Sequence, residues 1–209
     1  FNLLTGVYEP SEGTVTLDGH LLNGKVPYKI ASLGLGRTFQ NIRLFKDLSV
    51  LDNVLIAFGN HHKAHVLASF LRLPAYYKNE EELKAKALEL LKIFDLDKEA
   101  ETLAKNLAYG QQRRLEIVRA LATEPKILFL DEPAAGMNPQ ETAELTALIR
   151  RIKNEFNITI MLIEHDMSLV MEVTERIYVL EYGRLIAHGT PDEIKNDKRV
   201  IEAYLGGEA

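Results

Sequence analysis

Helical spacing of apolar residues dominates the middle of the chain. Between residues 80 and 94, apolar side chains recur every three to four positions and predict a helix with a buried stripe of Leu83, Ala87, Leu90 and Phe94. A further helix is predicted from Gly110 to Thr123, just before Pro125. The next begins at Asn138, which suits the N-cap position, and its stripe comprises Leu145, Leu148, Ile149, Ile152 and Phe156. We therefore expect each helix to bury one face.

Short apolar runs predict strands on either side of the helical block. Asp18 and Gly19 favour the turn of a β-hairpin near the N-terminus. In the second half, strands and helices alternate, which is typical of a mainly parallel sheet with helices on its faces. The predicted strands there are residues 127–130, 158–163, 177–180 and 185–187. The pattern predicts an α/β fold in which a helical block interrupts the sheet domain.

Composition and charge exclude several classes of function. The chain has no cysteine, which excludes disulfides and thiolate metal sites. Its net charge of -5 argues against a nucleic-acid partner, since nucleic-acid-binding domains are usually basic. No apolar run approaches the ~20 residues that a membrane-spanning helix needs, and no signal peptide is visible. These features predict a globular domain with a sizeable core.

Two adjacent carboxylates, Asp131 and Glu132, follow the apolar run at 127–130. Carboxylates at the C-terminal end of a parallel strand lie where open α/β sheets bind ligands. An aspartate there can help to hold Mg2+ on the phosphates of a nucleotide, and the next carboxylate can polarise the attacking water molecule. The alternative is an exposed pair that ends the strand and has no catalytic role.

Three other segments carry weaker signals. Gly110 begins a helix, where backbone N–H groups can approach an anion, although the run around it also suits an ordinary helix start. His165 follows the strand at 158–163, and its imidazole could hydrogen-bond a terminal phosphate or have only a structural role. The Gln40 amide could contact Mg2+ or water, or simply lie on the surface.

Two groups of residues look like metal sites but fit poorly. Residues 164–166, Glu-His-Asp, are adjacent on an extended segment, so their side chains point apart. His61, His62 and His65 lie in the helical block without a carboxylate or cysteine at ligand spacing. We expect these histidines to form a solvated face.

The order of the motifs along the chain resembles the ABC ATPase family from end to end. By this resemblance, Gln40 is the Q-loop glutamine, Asp131 the Walker-B aspartate, Glu132 the catalytic glutamate and His165 the switch histidine. Gln40 and Asp131 would both be ligands of Mg2+. The signature motif, which contacts ATP, would be formed by Leu107, Ala108, Tyr109, Gly110 and Gln111.

The resemblance also implies the fold and its division into domains. A P-loop NTPase (RecA-like) core would comprise residues 1–40 and 125–209, and the helical ABC subdomain would be inserted at 41–124. Several runs are similar to the ATP-binding subunits of branched-chain amino acid importers, namely residues 36–45, 106–116, 131–139, 163–167 and 189–194. Related importers of urea or short amides could share these runs.

The chain departs from the family pattern at three places. Ala108 and Tyr109 replace the serine and first glycine of Leu-Ser-Gly-Gly-Gln, so residue 108 offers no hydroxyl to a partner's γ-phosphate. Asn138 stands where many relatives carry aspartate, in the D-loop that begins at Ala135. No Gly-x-x-x-x-Gly-Lys-[Ser/Thr] phosphate loop occurs in the 209 residues. The resemblance therefore implies an N-terminal truncation, and these residues alone are expected to bind Mg-ATP poorly.

The family resemblance implies a mechanism and a set of partners. Two ATPase subunits, identical or different, would sandwich ATP and Mg2+ head to tail. Separate transmembrane permease subunits would move the amino acid, a periplasmic or extracellular binding protein would act indirectly, and this chain would lie at the cytoplasmic face of the membrane. The alternative is a soluble DNA-maintenance ABC ATPase, although residues 41–106 lack the long heptad arms of such proteins. A non-catalytic relative is disfavoured because Glu132 and His165 are retained.

Overall fold

The computed structural model describes residues 1–58 and 74–205. Strands and helices follow one another along the chain, and His61, His62 and His65 lie outside the described residues. The elements are β1 (Thr16–Leu17), β2 (His20–Leu21), α1 (Pro27–Ser32), β3 (Leu35–Arg37), α2 (Val50–Phe58), α3 (Pro74–Ile93), α4 (Tyr109–Leu121), β4 (Ile127–Asp131), α5 (Pro139–Phe156), β5 (Thr159–Ile163), α6 (Met167–Val173), β6 (Ile177–Glu181), β7 (Arg184–Gly189), α7 (Pro191–Lys195) and α8 (Lys198–Leu205). The mixed α/β class predicted from the sequence is confirmed.

A parallel three-stranded sheet forms the centre of the fold. Its order is β3-β4-β5, with Leu35 opposite Ile127 and Asp131 opposite Ile163. The interior of β4 is fully apolar and buried, as expected for a strand covered on both faces. Because the strands are parallel, β3, β4 and β5 present their carboxyl ends at one edge. Residues at that edge therefore converge from distant parts of the sequence.

Strand β3 and helix α1 were not predicted from the sequence. β3 has only three residues, so it shows no strand-length apolar run. It pairs with β4 across more than 80 intervening residues, and this pairing supplies backbone hydrogen bonds that a three-residue segment could not otherwise make. Thr38, just beyond it, continues the ladder with an N–H bond of 2.9 Å to the Phe129 carbonyl.

Two antiparallel hairpins lie outside the parallel sheet. The predicted Asp18-Gly19 turn joins β1 to β2, with φ values of 49° and 76°. Tyr182 and Gly183 join β6 to β7 in the same way, with φ values of 46° and 78°. Two successive residues with positive φ are the requirement of a type I′ turn, whose twist matches that of the flanking strands.

The predicted helical stripes form the main core. Ala87, Leu90 and Phe94 are buried, and Leu83 packs against the same cluster. The stripe on α5 is buried in the same cluster at Leu145, Leu148, Ile149 and Ile152, with Phe156 partly buried against it. This cluster continues from α2 and α3 through α4 to strand β4, so the helical segment and the sheet share one core.

The N-cap predicted at Asn138 is also confirmed. The Asn138 Oδ1 accepts a hydrogen bond of 3.0 Å from the Glu141 N–H, and Glu141 Oε2 accepts one of 2.9 Å from the Asn138 N–H. Thr190 and Glu193 form the same reciprocal pair at the start of α7. The first five residues form a single turn with a 2.9 Å bond from the Thr5 N–H to the Phe1 carbonyl.

Candidate functional site

The carboxyl edge of the sheet brings together Gln40, Asp131 and Glu132. Asp131 is the last residue of β4, and Glu132 follows it with φ 44°, a left-handed conformation that costs a non-glycine residue about 1 kcal/mol or more. The Glu132 N–H donates to the Ile163 carbonyl at 2.9 Å, which fixes this turn against the end of β5. The left-handed residue therefore ends the extended backbone of β4 directly after Asp131.

The Gln40 side chain meets Glu132 directly. Its Nε2 donates a hydrogen bond of 3.0 Å to Glu132 Oε2, between residues that are 92 positions apart in the sequence. Since the amide nitrogen faces the carboxylate, the amide oxygen is directed elsewhere and remains an acceptor or metal donor. Gln40 is exposed, as expected for a residue that reaches into a ligand site.

Arg37 engages the Asp131 carboxylate, and sequence analysis did not single out this arginine. Its Nη2 lies 2.9 Å from Asp131 Oδ2, and both side chains are mostly buried. Nη1 donates to Asn2 Oδ1 at 2.9 Å and to Thr5 Oγ1 at 2.8 Å, so the guanidinium also holds the first turn of the chain. No local pattern indicated this role, because the three residues of β3 show no strand-length apolar run.

The donor chemistry at this edge suits Mg2+. This ion prefers hard oxygen ligands and is usually held by one or two carboxylates together with water and substrate phosphates. Asp131 and Glu132 supply carboxylates, and Gln40 supplies an amide oxygen. Within residues 1–58 and 74–205, no group of three or more His, Cys, Asp or Glu side chains is arranged to hold a metal by itself. The oxygen donors at this edge are of the kind that Mg2+ prefers.

His165 and Glu164, beyond the end of β5, differ in exposure, although His165 Nδ1 lies 3.9 Å from Glu164 Oε2. The Glu164 side chain is 1% exposed and the His165 side chain 75% exposed. Glu164 Oε1 accepts from the Ala134 N–H at 2.8 Å, and Oε2 accepts from the His165 N–H at 3.1 Å. Glu164 therefore ties the histidine backbone to the turn that follows Glu132. Across the part of the chain that the structure describes, the His165 side chain forms no hydrogen bond to Gln40 or Glu132.

Asp166 caps helix α6. Its Oδ1 accepts from the Ser168 hydroxyl, from the Ser168 N–H at 2.9 Å and from the Leu169 N–H at 3.3 Å. These bonds, the one from the Ser168 hydroxyl above all, hold the pKa of the Asp166 carboxyl below its ordinary value. The cap fixes where α6 begins and hence the short segment that carries His165.

The signature segment lies at the start of α4. Ala108 occupies the N-cap position with extended backbone, and its N–H donates to Gln111 Oε1 at 3.1 Å. The N–H groups of Tyr109, Gly110 and Gln111 belong to the first turn of the helix, where no intrahelical acceptor exists. Such a turn attracts anions through its N–H groups and the helix dipole.

Tyr109 joins the signature segment to the turn after Glu132. Its hydroxyl donates to the Ala135 carbonyl at 3.0 Å, and its ring lies against Gly136, at van der Waals distance from the position a Cβ would occupy there. The signature segment thus contacts the Ala135–Asn138 turn, while Gln40 contacts Glu132.

Comparison with known proteins assigns the family. A family model described as "ABC transporter" matches residues 1–135. The high-affinity branched-chain amino acid transport ATP-binding protein BraF of Pseudomonas aeruginosa is 47% identical over 206 residues, which cover 99% of this chain and 81% of BraF. The chain belongs to the ABC transporter ATPase family. A second model, "Branched-chain amino acid ATP-binding cassette transporter", matches residues 184–209.

Solved ABC cassettes share the fold. The ADP conformation of MJ1267, an ATP-binding cassette of an ABC transporter, has a TM-score of 0.80 and 30% identity, over 98% of this chain and 81% of that one. A dimeric post-hydrolysis state of the cassette MJ0796 bound to ADP and Pi has a TM-score of 0.74 and 25% identity, over 91% and 78% of the two chains. The predicted P-loop NTPase fold and the ATPase class are thereby confirmed, and the family binds nucleotide.

Proposed function

We propose that this ABC ATPase is the ATP-hydrolysing subunit that powers an importer of branched-chain amino acids. The contact between Gln40 and Glu132, beside Asp131 at the carboxyl edge of the sheet, carries the proposal of hydrolysis. The substrate class rests on the 47% identity to BraF and on the match of residues 184–209 to the branched-chain amino acid model.

Glu132 would be the catalytic carboxylate. Its Oε2 is held by the Gln40 amide at 3.0 Å, so the other oxygen can accept a hydrogen bond from a water molecule and orient it towards the γ-phosphate. The left-handed backbone of Glu132 and its N–H bond to the Ile163 carbonyl hold the residue at the end of β5, and the Gln40 amide orients its carboxylate. His165, exposed beyond β5, would donate a hydrogen bond to the γ-phosphate once ATP is bound.

Asp131 and Gln40 would hold Mg2+, through a carboxylate oxygen and the amide oxygen respectively. When bound, the ion neutralises charge on the β- and γ-phosphate oxygens. The Arg37 guanidinium engages Asp131 Oδ2. This contact would keep the Asp131 carboxylate oriented towards the carboxyl edge.

The signature segment would serve a second ATPase subunit. The N–H groups of Tyr109, Gly110 and Gln111 would contact the phosphates of ATP bound mainly by that subunit, with Leu107 buried below them as the anchor. Because Ala108 has no hydroxyl, the contact to the phosphates would be made by backbone N–H groups alone. Tyr109 would hold this turn in register with the Ala135–Asn138 turn.

The proposed assembly contains further subunits. Two ATPase subunits would lie against transmembrane permease subunits at the cytoplasmic face of the membrane, with an external binding protein acting indirectly and no nucleic acid involved. Among the described helices, none is both long and apolar enough to cross a membrane. We also propose the division into residues 1–40 and 125–209 as the ATPase core and 41–124 as the helical subdomain.

Reconstitution tests the proposal. The protein, expressed from its own gene, would be assembled with the permease subunits and binding protein encoded beside it and placed in liposomes. We expect ATP hydrolysis to rise when leucine, isoleucine or valine is supplied with the binding protein, and to stay at its basal rate with urea or acetamide. Stimulation by urea or amides would overturn the substrate class, and stimulation by DNA without the permease would overturn the transport function.

A further inference from the structure

A buried ion pair on α4 lies outside the site described above. Arg113 and Glu116 are separated by one helical turn, their side chains are 0% and 5% exposed, and Arg113 Nη1 lies 2.8 Å from Glu116 Oε2. Arg113 Nε has no hydrogen-bond partner among the described residues. A buried pair of this kind costs desolvation free energy, and apolar residues of similar volume would stabilise a core at least as well. Packing alone therefore does not account for it.

The pair holds the backbone of the Gln40 loop. Arg113 Nη1 donates to the Phe39 carbonyl at 2.7 Å, and Nη2 donates to the Gln40 carbonyl at 2.8 Å. Glu116 Oε1 accepts from the Phe39 N–H at 3.2 Å and from the Arg43 N–H at 3.4 Å. The loop is irregular, so these backbone groups lack the partners that a helix or sheet would give them.

The pKa of Glu116 reflects both the burial of its carboxyl and its contacts with Arg113 and the loop. Burial raises the pKa of the Glu116 carboxyl above its ordinary value, while Arg113 and the N–H groups of Phe39 and Arg43 act in the opposite direction. The two carbonyls that Arg113 contacts match the planar fork of a guanidinium, which a lysine ammonium cannot reproduce. The contact is therefore specific to arginine.

The loop that Arg113 and Glu116 hold carries Gln40 to the proposed catalytic carboxylate of Glu132. Gln40 carries its side chain to Glu132 Oε2 at 3.0 Å, and Arg113 stands one turn along α4 from Tyr109 in the signature segment. We propose that Arg113 and Glu116 are positioning residues that fix the Gln40 loop to the signature helix, so that Gln40 meets Glu132 in the orientation needed for hydrolysis. This inference rests on the proposed ATPase function.

Three variants and a matched control test the inference. Arg113→Met with Glu116→Leu replaces the pair by apolar residues and is expected to keep the fold. Arg113→Lys retains a charge beside Glu116 but loses the fork. The control, Arg150→Met with Glu172→Gln, removes an Arg–Glu pair of 2.9 Å whose side chains are about half exposed. A third variant, Gln40→Ala, removes the side chain that the loop is proposed to position.

The readouts are kcat and KM for ATP, the Kd for nucleotide, and thermal unfolding, all on the protein assembled with its permease. We expect the apolar double variant to lower kcat per folded protein about 10- to 100-fold, close to the effect of Gln40→Ala, with Kd nearly unchanged. Its Tm should fall, because four backbone groups of the loop lose their partners. Arg113→Lys should fall between it and the wild type, and the control should match the wild type. A purely structural pair would instead lower Tm and leave kcat per folded protein unchanged.

Each outcome decides one claim. If the wild type hydrolyses ATP and the double variant keeps its kcat, the positioning role is wrong and the proposed function stands. If kcat falls only in proportion to lost folded protein, the positioning role is again wrong. If the wild type itself does not hydrolyse ATP in the assembled complex, the proposed function fails first.

Discussion

Glu164→Ala tests the buried carboxylate that ties the His165 segment to the turn after Glu132. In the wild type, Glu164 accepts backbone hydrogen bonds from Ala134 at 2.8 Å and from His165 at 3.1 Å. Hydrogen bonds to charged groups contribute about 1.5–3 kcal/mol each, and a buried N–H left without an acceptor costs about 1–3 kcal/mol. The His165 N–H can turn to water, so most of the loss falls on Ala134, and we expect a loss of about 2–4 kcal/mol in the free energy of unfolding.

The assay is urea denaturation followed by far-UV circular dichroism, with Glu164→Gln beside it. Glutamine keeps one oxygen that can accept from the Ala134 N–H, but its amide N–H group would face the His165 N–H. We therefore expect Glu164→Gln to lower the free energy of unfolding by about half as much as Glu164→Ala. The matched control is Glu155→Gln, which breaks a half-exposed pair with Arg151 and should cost about 0.5 kcal/mol or less. If Glu164→Ala is no more destabilising than this control, the assignment of Glu164 as a buried acceptor is refuted.

Three further predictions follow from the local geometry. Asn138→Ala removes the N-cap of α5 and should lower the free energy of unfolding by about 1 kcal/mol in urea denaturation. Tyr109→Phe removes the bond to the Ala135 carbonyl and should cost about 0.5–1 kcal/mol, with no change in helix content. Asp166, whose pKa is lowered in the folded state, contributes stability above its unfolded pKa that is lost as pH falls through the folded value. Asp166→Asn should therefore flatten the acid side of the Tm-versus-pH curve, below about pH 4.

Local signals in the sequence were enough to predict most elements of the fold. The stripe through Ala87, Leu90 and Phe94 predicted the face that α3 buries, because helical periodicity is a local property. Asn138 predicted the start of α5 for the same reason, since an N-cap side chain bonds a backbone N–H in the first turn of its own helix. Strand β3 carries no comparable signal, and its three residues form a strand only because β4 lies beside them.

The candidate site was predicted less completely, because its contacts join distant positions. The motif order indicated Gln40 and Glu132, and their contact spans 92 residues. Arg37 reaches Asp131 across 94 residues, and nothing near either residue in the sequence signals that pairing. The difference in exposure between Glu164 and His165 was partly predictable, since successive side chains of an extended segment point to opposite faces, but the acceptance of the Ala134 N–H by Glu164 depends on tertiary structure.

Hydrolysis and nucleotide binding by the wild type and by Glu132→Gln test the central claim most directly. Both would be measured on the protein expressed from its own gene and assembled with its permease. A carboxylate that activates the attacking water contributes about 10²- to 10⁴-fold, so we predict a fall in kcat of at least about 100-fold with an unchanged Kd for ATP. Hydrolysis at the wild-type rate by Glu132→Gln would contradict the assignment of the carboxyl edge of the sheet as the catalytic site.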